Sequence, residues 1–164
     1  MSAEEAEPRF MRRAIELARY AVQSGSGGPF GAVIVSHEGD SPRVIAEGYN
    51  RVVVDNDPTA HAEVVAIRRA GEQLGTFSLA GAELYTSCEP CPMCWAAALW
   101  ARVDRIIYAG TREDAAQAGF DDSEFHRELA LPAEQRVVPA IEFLRPEASA
   151  AFADWTAKND RTAY

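Results

Sequence analysis

The sequence predicts a single α/β domain with helices on both faces of a mixed sheet. Phe30–Val35, an apolar run rich in β-branched residues, and the returning strand Arg43–Tyr49 flank a turn and read as a hairpin. After the hairpin, helix-like and strand-like segments alternate, the pattern of strands joined by crossover helices. A length of 164 residues and 48% hydrophobic content suit one core, so the domain is expected to span 1–164.

Each element has a local reason. Met11, Ala14, Ile15, Ala18, Ala21 and Val22 recur at helical spacing and predict an amphipathic helix over about 7–24. Ser24-Gly25-Ser26-Gly27-Gly28-Pro29 ends it. The hairpin turn is expected over Ser36–Pro42, and Asn50 to Asp57 reads as a loop. A helix is expected to start near Pro58–His61, since proline is tolerated in a first turn, and to stop at Gly75. Glu83–Ser87 reads as a strand, Cys91 to Trp100 as a helix and Arg105–Ala109 as a strand. Glu113–Ala118 reads as a short helix, and Asp122–Leu131 as either helix or loop. Arg136–Leu144 reads as a fifth strand, demoted to an edge by Pro139. Ala148, Phe152 and Trp155 mark a last helix, and Lys158–Tyr164 a polar tail with an aromatic end.

Composition narrows the function classes. Sixteen basic residues against twenty-five acidic ones give a net charge of −9, which argues against affinity built on neutralising phosphates. The densest basic pairs, Arg12-Arg13 and Arg68-Arg69, fall on expected helices and read as solvated faces. No apolar run approaches the length of a membrane span, and residues 1–10 lack the apolar stretch of a signal peptide. Three cysteines within seven residues make a poor disulfide framework, so the expected compartment is the cytoplasm.

The chemistry gathers in two stretches, Asp57-Pro58-Thr59-Ala60-His61-Ala62-Glu63 and Thr86-Ser87-Cys88-Glu89-Pro90-Cys91-Pro92-Met93-Cys94. Cys91 and Cys94, three apart, share a helical face. With His61 they form a three-ligand set for Zn²⁺ that leaves a tetrahedral position for water. Such a water is a nucleophile near neutral pH, and Glu63 is placed to carry its protons. Cys91 opens a helix and His61 lies in the first turn of another, where the helix dipole favours the thiolate form.

Blander readings stand beside these. Cys91-x-x-Cys94 alone suits a redox pair, a lone histidine is often a satisfied polar residue, and a lone Glu63 suits a helix N-terminus. Adding Cys88 would close the set as a structural Cys₃His site with no room for water. The bend expected at Glu89-Pro90 separates Cys88 from Cys91 and Cys94, and a closed site would leave Glu63 without a task. Asn50 is either a turn former or, through its amide donor and acceptor, a reader of a heterocycle edge. His37 and His126 have no partners at ligand spacing, and Glu89 reads as structural.

The order His-x-Glu then Pro-Cys-x-x-Cys resembles the signature of zinc deaminases with the cytidine deaminase-like fold. That resemblance implies a three-layer α/β/α sandwich around a mixed five-stranded sheet. Gly27–Val35, Asn56–Glu63, Leu84–Cys94, Ala115–Ser123 and the final tyrosine look like the bacterial guanine deaminases of this fold. The resemblance implies attack of zinc-activated water at C2 of guanine, with His61, Cys91 and Cys94 as ligands and Glu63 as proton shuttle. It implies that Asn50 and the Ala62 N–H bind the purine, and that Phe30 and Trp100 wall the pocket. It further implies Asp122 as a second acid near the leaving amine and Tyr164 as the residue that closes the site. The products would be xanthine and ammonia. Exchange of the C-terminal segment, about residues 145–164, between subunits of a homodimer follows from the same resemblance.

Two other readings compete. One keeps the mechanism and changes the substrate to guanosine, ammeline, adenine or cytosine, or to tRNA adenosine, which the acidic composition disfavours. The other is a non-catalytic domain stabilised by zinc, against which Glu63 and the open ligand set speak.

Overall fold

A computed structural model of the chain describes residues 6–39 and 41–164, so Asp40 of the expected hairpin turn lies outside the described residues. The chain divides into two compact units, the first ending at Asp122 and the second being Ser123–Tyr164.

The first unit opens with α1 (Pro8–Gln23), which starts at a proline that needs no N–H partner there. Its buried face is Phe10, Ala14, Leu17, Ala18 and Ala21, packed on Val33, Val35 and Tyr85. The expected stripe is therefore rotated: Ile15 and Val22 are exposed because Phe10 and Leu17 take the core positions. β1 (Gly31–Ser36) and β2 (Arg43–Tyr49) form the antiparallel hairpin. β3 (Ala82–Cys88) lies antiparallel to β1, and β4 (Arg105–Gly110) parallel to β3. The strand order is β2-β1-β3-β4. β1 is wholly buried, as expected of an apolar run covered on both faces.

Two more elements lie between β2 and β3. Within the expected Asn50–Asp57 loop is a short helix, α2 (Val52–Asp55). Then comes α3 (Ala62–Leu74), which ends at Gly75 in the left-handed conformation. The start of α3 falls later than Pro58 because Asp57 takes over the local backbone. Its Oδ1 accepts from the Thr59 N–H (2.8 Å) and hydroxyl (2.7 Å), making a turn that excludes helix. His61 is consequently the N-cap of α3, not a residue of its first turn.

The helix α4 (Pro92–Ala101) is the crossover from β3 to β4. Ala62, Ala66 and Ala70 of α3 and Ala98 and Ala101 of α4 pack with Ala32, Ile34 and Leu84 on the face opposite α1. The sheet is thus covered on both faces. Gly48 allows α3 to come close, since a Cβ there would lie 2.1 Å from the Ala62 carbonyl oxygen. That approach brings the start of α3 toward the end of β3. The first unit closes with α5 (Arg112–Gln117), held by a reciprocal capping box between Thr111 and Asp114.

The second unit contains α6 (Ser123–Ala130), a 3₁₀ turn at Ala133–Gln135 and α7 (Arg145–Ala157). The fifth strand expected at Arg136–Leu144 does not form. Pro139 has no N–H for a ladder, and Leu144 takes a left-handed φ of 56° to enter α7. Among the described residues the sheet has four strands. No residue of α6 or α7 is buried within the chain. No helix among the described residues is long and apolar enough to cross a membrane.

Candidate metal centre and active site

The end of β3 and the starts of α3 and α4 meet at one place. His61 caps α3 and Cys91 caps α4, both in extended backbone, and Cys94 lies in the first turn of α4. The Nδ1 of His61 is 3.6 Å from Sγ of Cys91 and 3.5 Å from Sγ of Cys94. The three ligand atoms lie within 4.8 Å of one another. Zinc bonds of about 2.3 Å to sulfur and 2.05 Å to nitrogen, at the tetrahedral angle, put N and S about 3.6 Å apart. The donor set fits a tetrahedral zinc ion through Nδ1 of His61.

Cys88 stands apart. It ends β3, buried, and its thiol donates to the Thr111 carbonyl at 3.4 Å. Burial pushes that thiol up to about 11. The structure therefore groups three ligands and leaves a fourth position, with no closed Cys₃His set among the described residues.

The electrostatics favour metal capture. The Cys91 thiol is held down at about 4, first by the hydrogen bond from Cys94 and then by His61. Cys94 is pushed up by the same bond to Cys91 and by burial, so one of the two sulfurs keeps its proton until a metal displaces it. The neighbouring Cys91 sulfur raises His61. Two helix N-termini add positive potential at the site.

Glu63 lies in the first turn of α3 and is buried at 5% exposure. Burial raises its carboxyl, and the Cys91 sulfur adds to that. Its Oε1 accepts a hydrogen bond from the Thr86 hydroxyl at 3.3 Å. A buried carboxyl with a raised pKa beside an open metal position has the chemistry of a proton carrier. Ala62 is fully buried and opens α3, so its N–H belongs to the first turn, which lacks intrahelical acceptors.

Asn50 follows β2 and is buried at 4% exposure. Its N–H donates to the Phe30 carbonyl at 2.9 Å, and its Oδ1 accepts from the Val52 N–H at 3.2 Å. The amide nitrogen is the group that remains to face a ligand. Phe30 is half-buried and meets Phe120 edge to face, with ring centroids 5.1 Å apart. Phe120 thus packs on Phe30, a contact that sequence reading missed. Asp122 is half-buried, two residues after Phe120.

One expected wall residue, Trp100, is not brought to this cluster within the first unit. Trp100 is in the last turn of α4, nine residues past Cys91, or about 13 Å along the helix axis. It is exposed, with the Arg102 guanidinium 5.9 Å from its ring centroid. Tyr164 is the exposed last residue of the second unit.

A sequence profile for the cytidine and deoxycytidylate deaminase zinc-binding region matches residues 4–110, which include all three ligands and Glu63. The chain belongs to this deaminase family. Among its deaminase relatives, guanine deaminase of Bacillus subtilis is 50% identical over 89% of this chain and 91% of its own length. The crystal structure of a Bacillus subtilis guanine deaminase superposes with a TM-score of 0.90 at 46% identity, covering 100% of this chain and 99% of that one. The tRNA-specific adenosine deaminase of Haemophilus influenzae is 35% identical over 77% of this chain and 74% of its own length.

Proposed function

We propose that the protein is a zinc-dependent guanine deaminase that converts guanine and water to xanthine and ammonia. The observation that carries this is the open set of His61, Cys91 and Cys94 beside buried Glu63. Similarity to guanine deaminase over nearly the whole chain supports the choice of substrate.

Zinc, when bound, supplies a Lewis acid that lowers the pKa of water toward neutrality. Glu63 takes the proton of the attacking water and passes protons to the purine ring nitrogen and the departing amine. Burial favours the protonated form of its carboxyl, which suits a group that carries a proton between those transfers. Asn50 donates its amide N–H to the purine, with its oxygen fixed by Val52. The Ala62 backbone N–H supplies a further contact to the purine. Phe30, extended by Phe120, forms one aromatic wall. From the family resemblance we assign Asp122 to the departing amine, Trp100 to a second aromatic wall and Tyr164 to closure of the site.

The protein is inferred to be a homodimer. α4 turns Trp95, Leu99 and Trp100 outward, and a helix apolar on all sides is one that is normally covered. In the second unit Ile141, Phe143 and Phe152 are more than two-thirds exposed. Apolar surface of this extent marks an interface. Exchange of the C-terminal segment between copies would cover it, and light scattering at the mass of one chain would sink this part of the reading.

The tRNA relative favours a second reading, adenosine in tRNA. Charge speaks against it. The net charge is −9, Arg13 is engaged by Glu47 at 2.7 Å and Arg68 by Asp57 at 3.6 Å. Turnover in oxygen-labelled water tests the hydrolytic step: guanine should yield xanthine labelled at C2. Unlabelled xanthine, or none, would remove the proposal.

A further inference from the structure

We propose that Thr86 is a positioning residue whose hydroxyl holds the Glu63 carboxylate for proton transfer. This rests on the reading of Glu63 as the proton carrier. Thr86 is near the middle of β3, paired with Ala32 of β1 on one side and Tyr108 of β4 on the other. Its backbone is therefore among the most tightly held in the sheet. Strand alternation puts Leu84, Thr86 and Cys88 on the face covered by α3, while Tyr85 faces α1. Leu84 serves the core there, but Thr86 brings a hydroxyl to a place where valine would fill the same space.

Thr86 is 1% exposed, so its hydroxyl must find a partner. It donates to Oε1 of Glu63 at 3.3 Å across 23 residues of sequence. Its own backbone N–H and the Cys94 thiol also act to favour the carboxylate. A metal ligand thiol has lost its proton, so Cys94 has none to give in the zinc protein. Thr86 keeps its proton in both states. The terminal torsion of a glutamate is broad, and a bond to one oxygen removes that freedom. Oε1 is tied to the strand, which leaves Oε2 to take and give the proton. Proton transfer needs heavy atoms about 2.6–3.2 Å apart, so a carboxylate free to turn spends less time in register.

Three variants test this, each as purified protein with zinc content measured. Thr86→Val keeps the shape and removes the donor. Its kcat for guanine should fall about 10- to 100-fold, as expected for losing one hydrogen bond to a charged group, with KM moving less than about threefold. Zinc should stay at one per chain. Thr86→Ser restores the hydroxyl and removes the methyl, and should return kcat to within about threefold of the parent. A purely packing role predicts the reverse order, with Thr86→Val nearly silent and Thr86→Ser the impaired variant. That order, or equal impairment of the two, overturns the proposal. Glu63→Gln separates the levels. If it is inactive while Thr86→Val is fully active, only the positioning role falls. If Glu63→Gln itself turns over normally, the proton-carrier reading falls and this inference with it.

Discussion

A Cβ placed on Gly27 would lie 2.0 Å from Oδ1 of Asn50. The loop after α1 therefore passes against the amide that faces the proposed purine, and only a bare backbone fits. Gly27→Ala should push Asn50 aside and break its bond to the Val52 N–H. We expect KM for guanine to rise about tenfold or more, within the usual range for overpacking a tight contact, at unchanged zinc content. Steady-state kinetics check this, and an unchanged KM would remove Asn50 from purine recognition.

In the proposed mechanism Glu63 carries the central chemical role. Glu63→Gln keeps the shape and removes the titrating proton site. Its kcat should fall by about 10²- to 10⁴-fold, the usual contribution of a positioned acid or base. Metal analysis should still find one zinc per chain, because Glu63 is not in the ligand set.

Cys88 distinguishes an open site from a closed one. Its thiol is turned to the Thr111 carbonyl, outside the cluster of His61, Cys91 and Cys94. Cys88→Ala should retain zinc and activity, whereas Cys91→Ala and Cys94→Ala should lose metal. Elemental analysis after dialysis against a weak chelator reads both outcomes.

Stripping the metal should expose a pH-dependent thiolate. Cys91, with its thiol held at about 4, is a thiolate above that pH and loses this form only as pH falls through about 4. Cys88, pushed to about 11, is thiol throughout the neutral range. At pH 6.5 fewer than about one Cys88 in ten thousand is reactive. Iodoacetamide should therefore label Cys91 at pH 6.5 in zinc-free protein and spare Cys88, as read by peptide mass spectrometry. Zinc should protect Cys91, and its uptake should release a proton and weaken as pH falls.

Much of the fold was legible because local signals agreed with the tertiary ones. β-branched runs marked β1 and β2, and the glycines after α1 and α3 stopped those helices where the periodicity ended. The ligand set was legible as spacing, but its convergence depends on Gly48, whose missing Cβ lets α3 approach β2. Errors arose where a neighbour overrode the local pattern. Asp57 captured Thr59 and moved the helix start to Ala62. Arg136–Leu144 had the apolar content of a strand, but Pro139 left it without a ladder, and a chain segment with exposed Val137, Val138 and Ile141 took its place. Thr86 and Phe120 were missed because their partners, Glu63 and Phe30, are distant in sequence. Alternation from Leu84 could have placed Thr86 on the α3 face, but nothing local names the carboxylate it meets.

The most direct test of the central claim is ammonia release by purified, zinc-loaded protein offered guanine, guanosine, adenine, cytosine and ammeline. Guanine should dominate in kcat/KM, with xanthine formed in equal amount to ammonia. Dominance of another amino-heterocycle would leave the metal chemistry standing and contradict the pocket assignment. No ammonia from any of them, in protein that holds one zinc per chain, would contradict the claim that this site is catalytic.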